Sequence, residues 1–342
     1  GTSHGYVLNS PVFRWLWHDA PTIFNRIQDK NDPKVNWKIY YDKLDIVSLA
    51  GLLHRRLWDY RSTHFFHMED FERDAANGEL PSYSFIEPRF FIDHNDQHPP
   101  IDDILETSNV LAGELLINCV YNAVRTGKHW DRTLLIITYD EHGGCYDHVP
   151  PPAAVPPDAS HGEQGFPFNR LGVRVPTVMV SPYIERGTVI SDTHDHTSII
   201  KTVCERWGLA PLTERDKHAT SFETVLNRAV PRPQKDIPVI KPRPYIVPRF
   251  ALEEPINHLR KVILFLMAGF VDAVEVPPNE NFTTRALGLF QLIQDEGRIA
   301  HIKTVGQAID FATDFDQRVT KHLSFFDWLE VKIKKLRLRF HI

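Results

Sequence analysis

The run TLLIITYDEHGG (133–144) constrains this chain more than any other stretch. Its short apolar part, bounded by turn signals, predicts a strand buried on both faces of a parallel sheet. That strand ends directly in two adjacent carboxylates, Asp140 and Glu141. Such a pair is costly at the end of a buried strand unless donors or a cation compensate it. A hard divalent cation with oxygen ligands is the natural compensation. His142 follows, and Gly143 and Gly144 let the backbone turn sharply beside the site. Asp147 and His148 come next, spaced to return to the same pocket or to support it from behind. The alternative is a polar loop whose acids cap a helix and pair with nearby arginines.

The segments around this run alternate between strand and helix patterns. PTIFNRI (21–27) predicts a helix, VNWKIYY (35–41) a strand, and DIVSLAGLLHRRLWDY (45–60) a helix. MEDFERDAANGELP (68–81) predicts a helix closed by Gly78. SYSFIEPRFF (82–91) reads as a strand, and 101–127 has the best helical periodicity in the chain. Beyond the proline-rich loop 149–168, VRVPTVMVSP (173–182) reads as a strand and HTSIIKTVCERWGL (196–209) as a helix. This rhythm predicts an α/β sandwich with helices on both faces. Sites in such sheets lie beyond the carboxyl ends of the strands, where the clusters after 138 and after 182 fall.

Two further groups carry candidate chemistry. In SDTHDHTSII (191–200), Asp195 and His196 stand where a loop enters a helix, and Asp195 alternatively serves as an N-cap. In HNDQHPP (94–100), His98 is stiffened by two prolines, which suits proton transfer or phosphate contact. A solvated loop histidine is the plainer reading there. His64, in STHFFHMED, is a weaker candidate for which packing competes.

A net charge of -5 argues against bulk nucleic-acid binding. Cys119, Cys145 and Cys204 are sparse and odd in number, so they form neither a disulfide framework nor a CxxC zinc pattern. No signal-peptide pattern opens the chain. VILFLMAGF (262–270) is about half of the roughly 20 apolar residues a membrane helix needs. The expectation is a soluble protein whose compartment stays open.

Taken in order, GELPSYSFIEPRFF, NDQHPP, TLLIITYDEHGGCYDHVPPP, FNRLGVRVPTVMVSPYI, DHTSIIKTV and LTERD resemble the phosphoesterase family. That family contains bacterial phospholipases C, acid phosphatases of the same lineage and plant non-specific phospholipases C. The resemblance covers about residues 1–228 and implies an alkaline-phosphatase-like α/β/α fold. It implies that Asp140 and Glu141 bind a divalent metal and that His98 contacts phosphate or protonates the leaving group. His64 matches a second active-site histidine more weakly. The family's Glu-Asn motif and its Ser or Thr nucleophile precede the stretch that resembles GTSHGYVLNSPVF. The expectation is therefore a catalytic domain lacking its N-terminal part, with no nucleophile to name in this chain.

The expected organisation is that incomplete domain over 1–228, a proline-rich connector over 229–248 and a helical extension over 249–342. The basic, alternating end from 331 to 342 suits peripheral membrane contact, with an edge strand or solvated tail as the alternative. The leading functional expectation is a metal-dependent, phospholipase C-like hydrolase acting on a phospholipid or a small phosphate ester. Phosphomonoesterase activity is a close variant. The rival is a non-catalytic homologue that binds lipid or a partner.

Overall fold

A computed structural model describes residues 20–45, 47–90, 94–99, 110–162 and 165–242, with short pieces at 302–304, 307–308 and 310–311. Within them the chain is a mixed α/β protein. Helix α1 (Ile23–Asp29) starts at Thr22, whose hydroxyl accepts from the Asn25 N–H while the Asn25 side chain accepts from the Thr22 N–H. This reciprocal cap satisfies two amides that helix geometry leaves without partners. Strand β1 (Trp37–Tyr41) follows.

The helix expected over 45–60 is divided. Ser48 caps a short α2 (Leu49–Leu53), His54 adopts an extended conformation, and a 3-10 segment (Arg55–Tyr60) leads into α3 (Arg61–His64). Then come β2 (Phe65–His67), α4 (Met68–Asn77) and β3 (Tyr83–Ile86). Gly78 closes α4 in the left-handed conformation at φ 78°, where a side chain would be strained. The three strands are parallel in the order β2-β1-β3.

Alternation along β1 sends its side chains into two cores. Trp37 and Ile39 pack with Ile23, Phe24 and Ile27 of α1 and with Val203 and Cys204 of α6 (Thr197–Trp207). Tyr40 packs on the other face with Phe71 of α4 and with Val120, Tyr121 and Val124 of α5 (Val110–Thr126). The layering is therefore helix, sheet, helix. Ile27, Ile39 and Leu57 are almost wholly buried, and each such side chain contributes about 1.5–3 kcal/mol on burial. On the α4 side, Asp74 accepts from Lys38 Nζ at 2.5 Å and from the Tyr40 hydroxyl at 2.8 Å. Burial pushes the Asp74 carboxyl up, but those two donors outweigh it and hold it below its ordinary value.

The second half corrects one expectation. Strand β4 (Leu135–Thr138) pairs antiparallel with β5 (Thr177–Val180), as a separate two-stranded sheet, and its four residues are only half-buried. A parallel pairing needs a crossover, usually a helix. The described residues between β4 and β5 hold none, and the chain simply returns on itself. Helix α7 (Glu214–His218) follows α6 and is capped reciprocally by Thr213 and Asp216.

The connector is docked rather than loose. Tyr121 and Arg125 of α5 donate to the Pro238 and Ile237 carbonyls at 2.7 Å each, and Asn118 and Asn122 both donate to the Ile240 carbonyl at 2.8 Å. Ile237 is buried in the same core as α5. Most of the expected helical extension, including the basic end 331–342, lies outside the described residues. In the short pieces, Gln307 N–H donates to Thr304 Oγ1 while the Gln307 side chain accepts from the Lys303 and Thr304 amides, a helix-start arrangement.

Candidate active site at the strand ends

Segments far apart in sequence meet past the carboxyl ends of β3 and β4. The first is anchored just after β3: Arg89 pairs with Asp42 at 3.0 Å, the Phe90 N–H donates to buried Asp45 at 2.8 Å, and the Asn95 N–H donates to the Arg89 carbonyl. These contacts carry the chain to Gln97 and His98. Gln97 has φ 62°, an uncommon left-handed conformation for a non-glycine residue. Its Nε2 donates to the Val110 carbonyl at 2.9 Å, and its Oε1 accepts from the Tyr139 hydroxyl. A Cβ on Gly113 would stand 2.2 Å from Gln97 Cγ, so only glycine at 113 lets Gln97 lie on α5.

This seat fixes the neighbouring histidine. His98 Nδ1 donates to the Pro99 carbonyl at 2.6 Å, and its Nε2 stands 4.0 Å from Glu141 Oε1. A carbonyl only accepts, so Nδ1 carries a proton and Nε2 is the nitrogen turned toward Glu141. Pro99 rests against Gly143, where a Cβ would meet its ring at 3.2 Å. Gly143 (φ 60°) and Gly144 (φ 72°) make the turn that brings the Gly143 N–H to Glu141 Oε2 at 2.8 Å. His196, just ahead of α6, donates from Nε2 to the Tyr139 carbonyl at 2.7 Å. His98, Glu141 and His196 are thus gathered around the end of β4, with Asp140 beside them. The Asp140 and His142 side chains are exposed and make no hydrogen bond or ion pair among the described residues.

The other candidates go elsewhere. Asp147 takes a two-pronged contact from Arg174, at 2.7 and 2.9 Å, and accepts from the Val149 N–H. The guanidinium holds its carboxyl well below the usual carboxylate range, and the pair fastens the loop after the glycines. His148 is largely exposed, with Nδ1 3.6 Å from Asp147. Asp195 accepts from the Thr197 N–H at 2.7 Å and lies 3.9 Å from Arg215, so it caps the start of α6, the plainer role weighed for it. His64 precedes β2, whose Phe65 pairs with Ile39, and so stands at the amino ends of the parallel strands. Its ring stacks on Trp37 with centroids 4.2 Å apart.

Asp140 and Glu141 are hard oxygen donors suited to a divalent cation. Among the described residues, however, no three His, Cys, Asp or Glu side chains come together as a metal site. The pair fits part of such a site. Sequence reasoning passed over Gln97, Gly113, Tyr139 and Arg174. The first and third sit inside the motifs NDQHPP and YDEHGG, so their proximity to His98 and Asp140 was the available signal.

The fold and this cluster define an α/β protein with a carboxylate–histidine site at its strand ends. Residues 16–210 match the phosphoesterase family, and the chain belongs to it. Non-specific phospholipase C6 of Arabidopsis thaliana is 39% identical over 263 residues, which cover 70% of this chain and 47% of that protein. Non-specific phospholipase C4 of the same plant is 38% identical over 250 residues, 68% of this chain and 44% of the relative. Phospholipase C B of Mycobacterium tuberculosis (strain ATCC 25618 / H37Rv) is 30% identical over 281 residues, 71% and 51% respectively. The chain spans about half the length of the curated relatives it matches.

Proposed function

We propose that this chain carries the strand-end part of a phosphoester-hydrolysing site, phospholipase C-like in substrate, on an alkaline-phosphatase-like scaffold. The observation that carries the reading is His98 Nε2 at 4.0 Å from Glu141, beside an Asp140 whose side chain makes no contact among the described residues. The names of the relatives favour phospholipid as substrate. His98, held in one tautomer by Pro99, gives a proton to the leaving oxygen or steadies the phosphoryl group. His196 and Gln97 fix the main chain and side chain of Tyr139, and so the start of the Asp140–Glu141 turn.

Asp140 and Glu141 supply two of the ligands of a divalent metal. When bound, such a metal polarises a phosphoryl oxygen and activates a nucleophile. The nucleophile of the reaction is a Ser or Thr. The test compares the natural protein on phosphatidylcholine vesicles and on a chromogenic phosphomonoester, with and without a chelator. Diester cleavage that the chelator abolishes supports the reading. Preference for the monoester moves the substrate to the phosphatase variant, and inactivity on both leaves the non-catalytic homologue.

A further inference from the structure

We propose that Arg215 of α7 is a positioning residue of the strand-end site, and that it sets the main chain carrying Asp140 and Glu141 through Asp195 and His196. The proposal rests on the hydrolytic reading of that site, and its experiment separates the two.

The support under Arg215 is firmly tied. Asp216, which caps α7 with Thr213, is almost fully buried and also accepts from the Leu212 N–H at 2.9 Å. Lys201 Nζ of α6 donates to the Lys217 carbonyl at 3.0 Å, so the two helices are joined. The Arg215 side chain is mostly buried between them and the loop before β5. A guanidinium stays charged and presents its donors in a fixed fork, so it must be met by acceptors in such a place. Two segments supply them. Nη2 donates to the Phe168 carbonyl, and Nη1 stands 3.9 Å from Asp195 Oδ2.

From Asp195 the contacts lead directly to the site. Its other oxygen, Oδ1, accepts from the Thr197 N–H at 2.7 Å and from the Thr197 hydroxyl at 2.5 Å. These bonds close a tight turn around His196 and fix its backbone. His196 Nε2 then reaches the Tyr139 carbonyl at 2.7 Å, one residue ahead of Asp140. Without Arg215, the Asp195 carboxylate loses the charge that faces Oδ2 and is free to rotate. The turn around His196 moves with it.

The second acceptor lies on the chain that follows Glu141. Residues 152–171 fold into an arm, in which Ala154 N–H donates to the Asn169 carbonyl at 2.8 Å and Leu171 N–H to the Pro152 carbonyl at 3.0 Å. The Glu214 N–H of α7 donates to the Pro157 carbonyl of that arm at 2.9 Å. Phe168 stands at φ 53°, uncommon for a non-glycine residue. Such a conformation persists where its surroundings hold it, and the Arg215 bond is part of that hold. One guanidinium therefore grips the arm beyond the Asp140–Glu141 turn and the residues that fix the start of the turn.

The test uses the natural protein with Arg215→Gln, Asp195→Asn and the double variant. Phosphocholine release from phosphatidylcholine vesicles gives kcat and KM, the nitrogen-15 NMR signals of the His196 ring report its bond to Tyr139, and urea midpoints report stability. Arg215→Gln should lower kcat about tenfold or more with KM within about twofold, since a misplacement of about 1 Å can cost about 100-fold. The His196 Nε2 signal should shift in the same variant. Asp195→Asn keeps an acceptor for Thr197 but loses the charge that Arg215 meets. Residues that act as one unit do not add, so the double variant should be no slower than the slower single one. Arg215→Lys keeps a cation without the fork, and carries the same readings if the glutamine variant does not fold. The proposal is overturned if the two losses in kcat multiply, or if kcat or the His196 signal is unchanged without Arg215. A wild type that releases no phosphocholine would sink the proposed function, and the His196 signal alone would then decide whether Arg215 sets the turn.

Discussion

His98 Nε2 stands 4.0 Å from Glu141 Oε1, and the histidine is held there by its neighbour Gln97 rather than by the carboxylate. Gln97 lies on Gly113 of α5 and accepts from the Tyr139 hydroxyl. Gly113→Ala should therefore lift Gln97 from the helix, at an overpacking cost of about 1–3 kcal/mol. Tyr139→Phe should cost only about 1 kcal/mol, a single hydrogen bond. Urea midpoints measure both costs. The His98 ring signals in NMR should shift in both variants while those of His218 on α7 stay in place.

Glu87, just past β3, is buried and accepts from the Ala50 N–H at 2.6 Å. Burial pushes its carboxyl up to about 7. A carboxyl whose folded value is raised stabilises the fold most below its unfolded value near 4.3, and that contribution is lost as pH rises through about 7. Glu87→Gln keeps an acceptor for Ala50 without the charge. The variant should gain about 2–3 kcal/mol on the wild type between pH 5 and pH 8. Equal pH slopes in the two proteins would show that Glu87 does not titrate in this range.

His64 was a catalytic candidate, but its stacking on Trp37 at the amino ends of the strands points to packing. Burial, and secondarily the charge of Lys38, hold its imidazole below the ordinary value. Stability from this group is present above about pH 6.5 and is lost as pH falls through its lower folded value. His64→Phe should retain the stack, flatten that acid-side loss and leave hydrolysis by the natural protein within about twofold. A loss of turnover with unchanged stability would return His64 to the chemistry.

The connector gives an independent check. Tyr121→Phe combined with Arg125→Ala removes two of the bonds that tie 237–238 to α5. At about 1 kcal/mol for each bond, proteolysis within 234–242 should accelerate about tenfold or more, with the core of 20–228 left intact. Unchanged cleavage would mean that the buried Ile237 alone secures the segment.

What the sequence disclosed follows its strongest local signals. The helix pattern PTIFNRI, the Gly78 stop and the apolar run at 134–137 each fix an element through contacts within a few residues. Motif order was enough to bring the His98 and Asp140–Glu141 clusters to one place. What escaped was set at a distance. Whether β4 pairs parallel or antiparallel depends on how 139–176 returns, and the division of 45–60 turns on the extended backbone of His54. Asp147 looked like site chemistry because its arginine partner, Arg174, lies in another segment.

The most direct test of the central claim is phosphocholine release from phosphatidylcholine vesicles, followed by phosphorus NMR, for the natural protein and its Asp140→Asn and His98→Ala variants. The account predicts release by the wild type and a loss of at least 100-fold in each variant, with urea midpoints within about 1 kcal/mol because both side chains lie at the exposed rim. Release at wild-type rates by Asp140→Asn and His98→Ala would contradict it, since the strand-end cluster would then have no part in the reaction.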